Sequence, residues 1–183
     1  MRAALAIARR LRAVVLATTL LVTPAPDVVA APAELYGTVV YVVDGDTIHV
    51  QVSDRLEKVR YIGINAPEVP HPHADATERH RLRFLPQTIA AGEAARRVNA
   101  ELVAGKRVRL TLDRQHRDRY DRLLAYVWVG DTMINAEMLR RGYAEAMSIP
   151  PDFRHRALFV RLHAEARAVG RGLWADARNS GAR

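Results

Sequence analysis

Four side chains in one short stretch carry groups that could act together on a phosphodiester. They are Asp46, Arg60, Asn65 and Glu68, set in VVDGDTIHVQVSDRLEKVRYIGINAPE from Val42 to Glu68. An aspartate and an asparagine offer hard oxygens to a cation, a guanidinium clamps phosphate, and a glutamate can activate water. Strand and turn signals place all four on one rim. Val39 to Val43 is apolar throughout, and Ile48, Val50 and Val52 then alternate with Thr47, His49 and Gln51, as in a half-buried strand. Asp44-Gly45 between them is a hairpin signal, because glycine readily takes the positive φ of a tight turn. After a second turn around Ser53 to Arg55, the run Val59 to Ile64 is apolar on both faces except for Arg60. That arginine requires an anionic partner or ligand. Pro67 ends the run, since it donates no ladder bond, and Glu68 projects from the loop beyond. Each residue taken singly also has an ordinary reading: Asp46 as a turn residue, Glu68 as a solvated carboxylate, and Arg122 as a partner of Asp118 or Asp121.

DGDT followed by VRYIGINAPE resembles the thermonuclease family of staphylococcal-nuclease-like domains, and RDRYDRLLAYVW from Arg117 to Trp128 resembles its third motif. The three motifs stand in the family's order, and the likeness runs from about Tyr36 to Asp176. It implies an α+β fold, a five-stranded OB-fold β-barrel with three α-helices. It also implies a calcium-dependent phosphodiesterase that cuts DNA and/or RNA with low sequence specificity and leaves 3′-phosphate products. On that resemblance Asp46 is a calcium ligand, Asn65 a second ligand position and the Ala66 carbonyl a third, with Asp44 orienting the ligands or a bound water. Glu68 corresponds to the proposed general base, Arg60 and Arg122 to two phosphate-binding arginines that would act bidentately, and Arg119 and Tyr120 to residues that contact the nucleotide.

The chain also departs from the family's best-known member. Asn65 stands for an aspartate, Ala66 for a threonine, and Ser148 and Pro150 for tyrosines after the second helix. Losing one anionic ligand forfeits, as an upper scale, on the order of 4 kcal/mol at ~4 Å. Calcium binding is therefore expected to be weak, in the range of extracellular modules. The competing reading is a catalytically weak or silent OB-type module that only binds nucleic acid or protein. Silent relatives would be expected to lose the charged set, and here Asp46, Arg60, Glu68 and Arg122 are all present.

The chain has 183 residues, 49% of them hydrophobic, which suits one globular domain. Its formal charge of +8 comes from 26 arginines and two lysines, Lys58 and Lys106, set against the acids. Such a charge attracts a polyanion, though arginine-rich composition alone gives the same excess. Arg2, Arg9, Arg10 and Arg12 precede an apolar stretch, Ala13 to Val22, and Val28-Val29-Ala30 offers small residues for cleavage: the pattern of a secretory signal peptide over residues 1–30. Its removal takes away four arginines and one aspartate and leaves +5. The expected product is a secreted or periplasmic monomer with no stable membrane association, its nuclease domain over 36–176 flanked by a flexible leader at 31–35 and a disordered tail at 177–183. The absence of cysteine excludes disulfides, zinc thiolate sites, a thiol nucleophile and a lipoprotein anchor.

The remaining elements frame this rim. Val69 to Ala91 reads as a long surface loop, in which His71, His73, Glu78 and His80 suggest a metal cluster but lack a regular element to orient them, so solvated histidines are the better reading. An apolar stripe through Ala94, Ala95, Val98, Leu102 and Val103 predicts a first helix over Gly92 to Gly105. Strands follow at Arg107 to Leu112 and Arg122 to Val129, then a helix from about Asn135 to Arg141. Asp152 is placed to cap a third helix over Phe153 to Val169, and Leu173 and Trp174 to pack back on the barrel.

Overall fold

The alternating strand and its hairpin partners form as their periodicity demands. The computed structural model describes residues 33–69, 86–147 and 154–175. In chain order the elements are β1 (Glu34–Val42), β2 (Thr47–Val52), β3 (Arg55–Tyr61), β4 (Ile64–Asn65), α1 (Pro86–Val103), β5 (Arg107–Thr111), β6 (Leu123–Val129), β7 (Thr132–Met133), α2 (Ile134–Arg140), β8 (Glu145–Ala146), α3 (Arg156–Val169) and a 3-10 turn (Gly172–Trp174).

Strand β1 pairs antiparallel with β2 and with β5, β2 pairs with β3, and β5 with β6. A parallel β3–β6 pairing, with Arg60 opposite Leu124, closes these five strands into a barrel. The result is the OB-type α+β fold with three helices. Val39, Ile48, Val50, Val59, Leu110 and Val127 fill its interior, and Met138 and Leu139 of α2 are buried with them. The short β4 and β8 form a separate two-stranded pair beside the barrel.

The apolar run Val39 to Val43 is not buried on both faces. The register with β2 slips between Val39 and Tyr41, so Val40 is a bulge and both Val40 and Tyr41 face outward. Without that extra residue, Tyr41 would point inward and Val42 outward. The second hairpin connects Val52 to Arg55 through two residues, with Ser53 at φ +49°.

Two boundaries differ from those read in the sequence. Helix α1 starts at Pro86, so the last six residues of the expected loop, Pro86 to Ala91, are helical. A proline in the first turn of a helix loses no bond that would otherwise form, so Pro86 suits the start of α1. Helix α3 begins at Arg156, three residues later than expected. The signal segment, the tail, Ser148, Pro150, Asp152 and the histidines at 71, 73 and 80 lie outside the described residues.

Gly45 serves the fold differently from the tight-turn role. Its φ is not in the left-handed region; instead a Cβ there would sit 2.5 Å from Ala66 Cβ and 2.8 Å from Ala95 Cβ. The β1–β2 turn, the loop after β4 and α1 thus meet at a point with no room for a methyl group. Asn99, fully buried on α1, ties the helix to that turn and to the end of β3: its Nδ2 donates to the Asp44 carbonyl at 2.9 Å and its Oδ1 accepts the Tyr61 hydroxyl at 2.9 Å. Gly45→Ala should destabilise the domain by about 1–3 kcal/mol through overpacking against two short, inflexible side chains. Thermal unfolding of the variant beside the parent measures this as a lowered Tm.

Candidate active site

Asp46 sits where the β1–β2 turn enters β2, and its carboxylate is almost fully buried. Asp44 Oδ1 accepts the Asp46 N–H at 2.9 Å and tightens the turn. Asp46 Oδ2 accepts the Ala66 N–H at 2.6 Å and lies 3.1 Å from Arg60 Nη2, while Oδ1 accepts the Thr47 hydroxyl at 3.1 Å. Burial pushes the Asp46 carboxyl up to about 7; Arg60 opposes this, and the charges of Asp44 and Glu68 add to it. Burial is the largest cause, so removal from water, more than any neighbouring charge, disfavours the ionised carboxylate here.

Arg60, the lone charge in an apolar strand, finds its anionic partner in Asp46. Its Nη1 donates to the Tyr61 carbonyl at 3.0 Å and the Ile64 carbonyl at 2.9 Å, and its Nη2 to Asn65 Oδ1 at 3.2 Å as well as facing Asp46. Three protein oxygens thus accept from its terminal N–H groups, and the Asp46 carboxylate pairs with the same guanidinium. In this arrangement Arg60 is not set for the bidentate phosphate grip expected from the sequence, and reaching it requires releasing Asn65 and Asp46.

Arg122 differs. Its Nε donates to Asp118 Oδ2 at 2.7 Å and its backbone N–H to Asp118 Oδ1 at 3.0 Å, but its terminal nitrogens have no acceptor among the described residues. Burial would raise the Asp118 carboxyl, yet the hydrogen bonds from Arg122 and from the Tyr120 N–H hold it below its ordinary value. Asp118 therefore stays ionised and aims the guanidinium. The bend that allows this passes through Asp121 at φ +60°, and Arg117 staples it by binding both oxygens of Glu57 at 3.0 and 2.9 Å. Because β6 runs parallel to β3, Arg122 arrives beside Arg60. The two arginines line one cleft of about 150 Å³ together with Gln115, Asp118, Leu124 and Met147.

Arg119, Tyr120, Asn65, Ala66 and Glu68 are not in the lining of this cleft, and Asn65 lines a separate one with Pro67, Ala91 and Glu145. Tyr120 is 64% exposed, with Arg119 stacked on its ring at 4.7 Å and donating to its hydroxyl at 2.6 Å; Arg122 lies 5.5 Å from the same ring. Asn65 is exposed on β4, opposite Glu145 of β8. Ala66 is buried and gives its N–H to Asp46. Glu68 is exposed, and its charge reaches Asp46. Gly92 of α1 backs its peptide so closely that a Cβ would meet the Glu68 carbonyl oxygen at 2.2 Å.

Sequence reading missed the positioning roles of Asn99 and Asn135. Asn135 accepts the Val127 N–H at 2.9 Å and donates to the Ile62 carbonyl at 2.9 Å, joining β6 to the end of β3. The available signal was an asparagine at a core-facing position of each helix. As for a metal, no group of three or more histidines, cysteines or acids forms a ready-made cation site among the described residues. The donors within reach are the Asp46 carboxylate, the Asn65 amide and backbone oxygens, all hard ligands suited to a loosely coordinated divalent ion.

Comparison with known proteins agrees with this geometry. A family model described as staphylococcal nuclease homologue matches residues 58–176, a span that includes every residue named above from Arg60 to Arg122. The thermonuclease of Staphylococcus intermedius is 34% identical over 133 residues, 73% of this chain and 72% of its own. The thermonuclease of Staphylococcus hyicus is 28% identical over 138 residues, 75% of each chain. An uncharacterized endonuclease of Escherichia coli O157:H7 is 34% identical over 146 residues, 79% of this chain and 80% of its own. The family model takes in the end of β3, the later barrel strands β5 and β6, the three helices and both arginines of the cleft, and the chain belongs to the staphylococcal nuclease homologue family.

Proposed function

We propose that this chain is a calcium-dependent nuclease that hydrolyses DNA and/or RNA with low sequence specificity, leaves 3′-phosphate ends and works outside the cytoplasm. One observation carries the reading: Arg60 and Arg122 line a single cleft, Arg60 is paired with the buried Asp46, and the charge of Glu68 reaches that carboxylate. Water, deprotonated by Glu68, forms its bond to phosphorus while the bond to the 5′ oxygen breaks, and that oxygen takes a proton from solvent. Arg122 faces the phosphoryl oxygens with its terminal nitrogens available, so its attraction grows as negative charge builds in the transition state. Arg60 adds positive charge from beneath and gains hydrogen bonds to phosphate as Asn65 or Asp46 lets go. Tyr120 offers a stacking face at the rim, and Arg119 a cation beside it.

Calcium would be held by Asp46, Asn65 and the Ala66 carbonyl; when bound it supplies further positive charge to the phosphoryl oxygens. With one carboxylate and neutral oxygens the site is weak, suited to the millimolar calcium found outside cells. Export rests on the basic and apolar pattern of the first thirty residues. No helix among the described residues is long and apolar enough to cross a membrane. The protein acts as a monomer. A second reading, a barrel that binds nucleic acid with little hydrolysis, is favoured by one feature: Arg60 commits its terminal N–H groups to protein oxygens.

Incubation with single-stranded DNA, with calcium or a chelator, separates the two. Cleavage should need calcium, and Glu68→Gln should lower kcat by roughly 10²–10⁴ while oligonucleotide affinity holds. Cleavage that survives the chelator or the substitution would remove the base mechanism, and no cleavage by the parent would leave the binding module.

The Asp46 carboxyl gives a second test. Its folded value is raised from 3.8 to about 7, so between those limits the folded state holds a proton that the unfolded chain has lost. Stability of the calcium-free protein should therefore fall as pH rises through that window. Calcium should raise Tm more at the alkaline end than at the acid end, and Asp46→Asn should flatten the pH dependence. Thermal melts across the pH range, with and without calcium, read both effects.

A further inference from the structure

The outward face of β2 and β3 continues away from the cleft without a break. Arg60 is cross-strand partner to Thr47, and the next outward pair is Lys58 with His49. Tyr41 of β1 flanks His49 on its other side, the two rings 5.8 Å apart and tilted by 54°. Tyr41 is 57% exposed, and the bulge at Val40 is what turns it outward into this row. Bulges of this kind commonly re-aim a side chain beside a functional site.

Lys58 is exposed and has no ion pair among the described residues. The outward positions Thr38, Tyr41, His49, Gln51, Leu56 and Lys58 include no acid, whereas Glu57 is held by Arg117 on the opposite side of β3. Burial, and then the charge of Lys58, lowers the His49 imidazole, which is therefore a neutral ring at physiological pH. One rung of β3 separates Lys58 from Arg60, about 6.7 Å along the strand, the scale of one nucleotide step in an extended chain. Two ring faces and one unpaired ammonium beside the phosphate cleft are what a flexible polyanion with stacking bases requires.

We propose that Tyr41, His49 and Lys58 form a subsite for single-stranded nucleic acid, in which Lys58 meets the phosphate one step along from the scissile one and the base beyond it lies against Tyr41 and His49. The subsite rests on the nuclease reading above and extends it to substrate length. It makes the enzyme favour longer single strands over the shortest cleavable unit.

Steady-state kinetics of the full chain with calcium test this, comparing a long single-stranded oligothymidylate with the thymidine dinucleotide, which has no terminal phosphate and does not reach Lys58. Tyr41→Ala should raise KM for the long substrate roughly tenfold. Its kcat, its KM for the dinucleotide and its Tm should stay unchanged, and Tyr41→Phe should behave as the parent. Lys58→Gln should make the dependence of log KM on log salt shallower by about 0.7. An unchanged KM and salt slope on the long substrate, or an equal rise on both substrates, would overturn the subsite while leaving the nuclease in place. If the parent cleaves neither substrate, the nuclease reading fails instead. Fluorescence anisotropy with the same long oligothymidylate then decides: a weakened Kd for Tyr41→Ala supports the subsite, and an unchanged one overturns it.

Discussion

Taking a carboxylate out of water costs several kcal/mol unless hydrogen bonds and an opposite charge compensate, and at Asp46 the compensation is also what assembles the cleft. The Ala66 N–H draws the loop after β4 onto the β1–β2 turn, and the Arg60 guanidinium draws in the end of β3. Arg60 in turn gathers the carbonyls of Tyr61 and Ile64 and the amide of Asn65. From one buried charge, hydrogen bonds reach the turn, the third strand and the loop that carries Glu68. Gly45 permits this convergence by leaving no side chain between the turn and α1.

The two arginines of the cleft stand in opposite states. Arg60 is 9% exposed, donates to three protein oxygens and pairs with Asp46, so it braces the turn and the end of β3. Arg122 is held by one carboxylate at Nε, and its outer nitrogens have no acceptor among the described residues. Asp118, one of the two partners the sequence offered for Arg122, accepts three hydrogen bonds and sets the direction of that guanidinium. A guanidinium aimed in advance loses less freedom on meeting phosphate than one swinging in solvent.

Much of this was legible in the sequence because short-range rules governed it. Alternation gave β2, the Ser53 turn gave β3, and the apolar run with a single arginine marked both a strand and a buried ion pair. What remained hidden depended on partners far along the chain. Gly45 looked like a turn glycine, and only the approach of Ala66 and Ala95 shows that it is kept for space. The bulge at Val40 left no mark in an unbroken apolar run. Asn99 and Asn135 resembled ordinary helix residues, because their acceptors and donors lie on strands remote in sequence. The start of α1 lay inside a stretch read as loop, because its first residues show no sustained apolar period.

The parallel seam between β3 and β6 joins segments more than sixty residues apart, with all of α1 and β5 between them. Contacts of such sequence separation form late, after the local hairpins. Until that seam zips, Arg60 and Arg122 are on separate pieces of chain. A polypeptide that still lacks β6 as it leaves the ribosome therefore has no second wall on which the cleft could form.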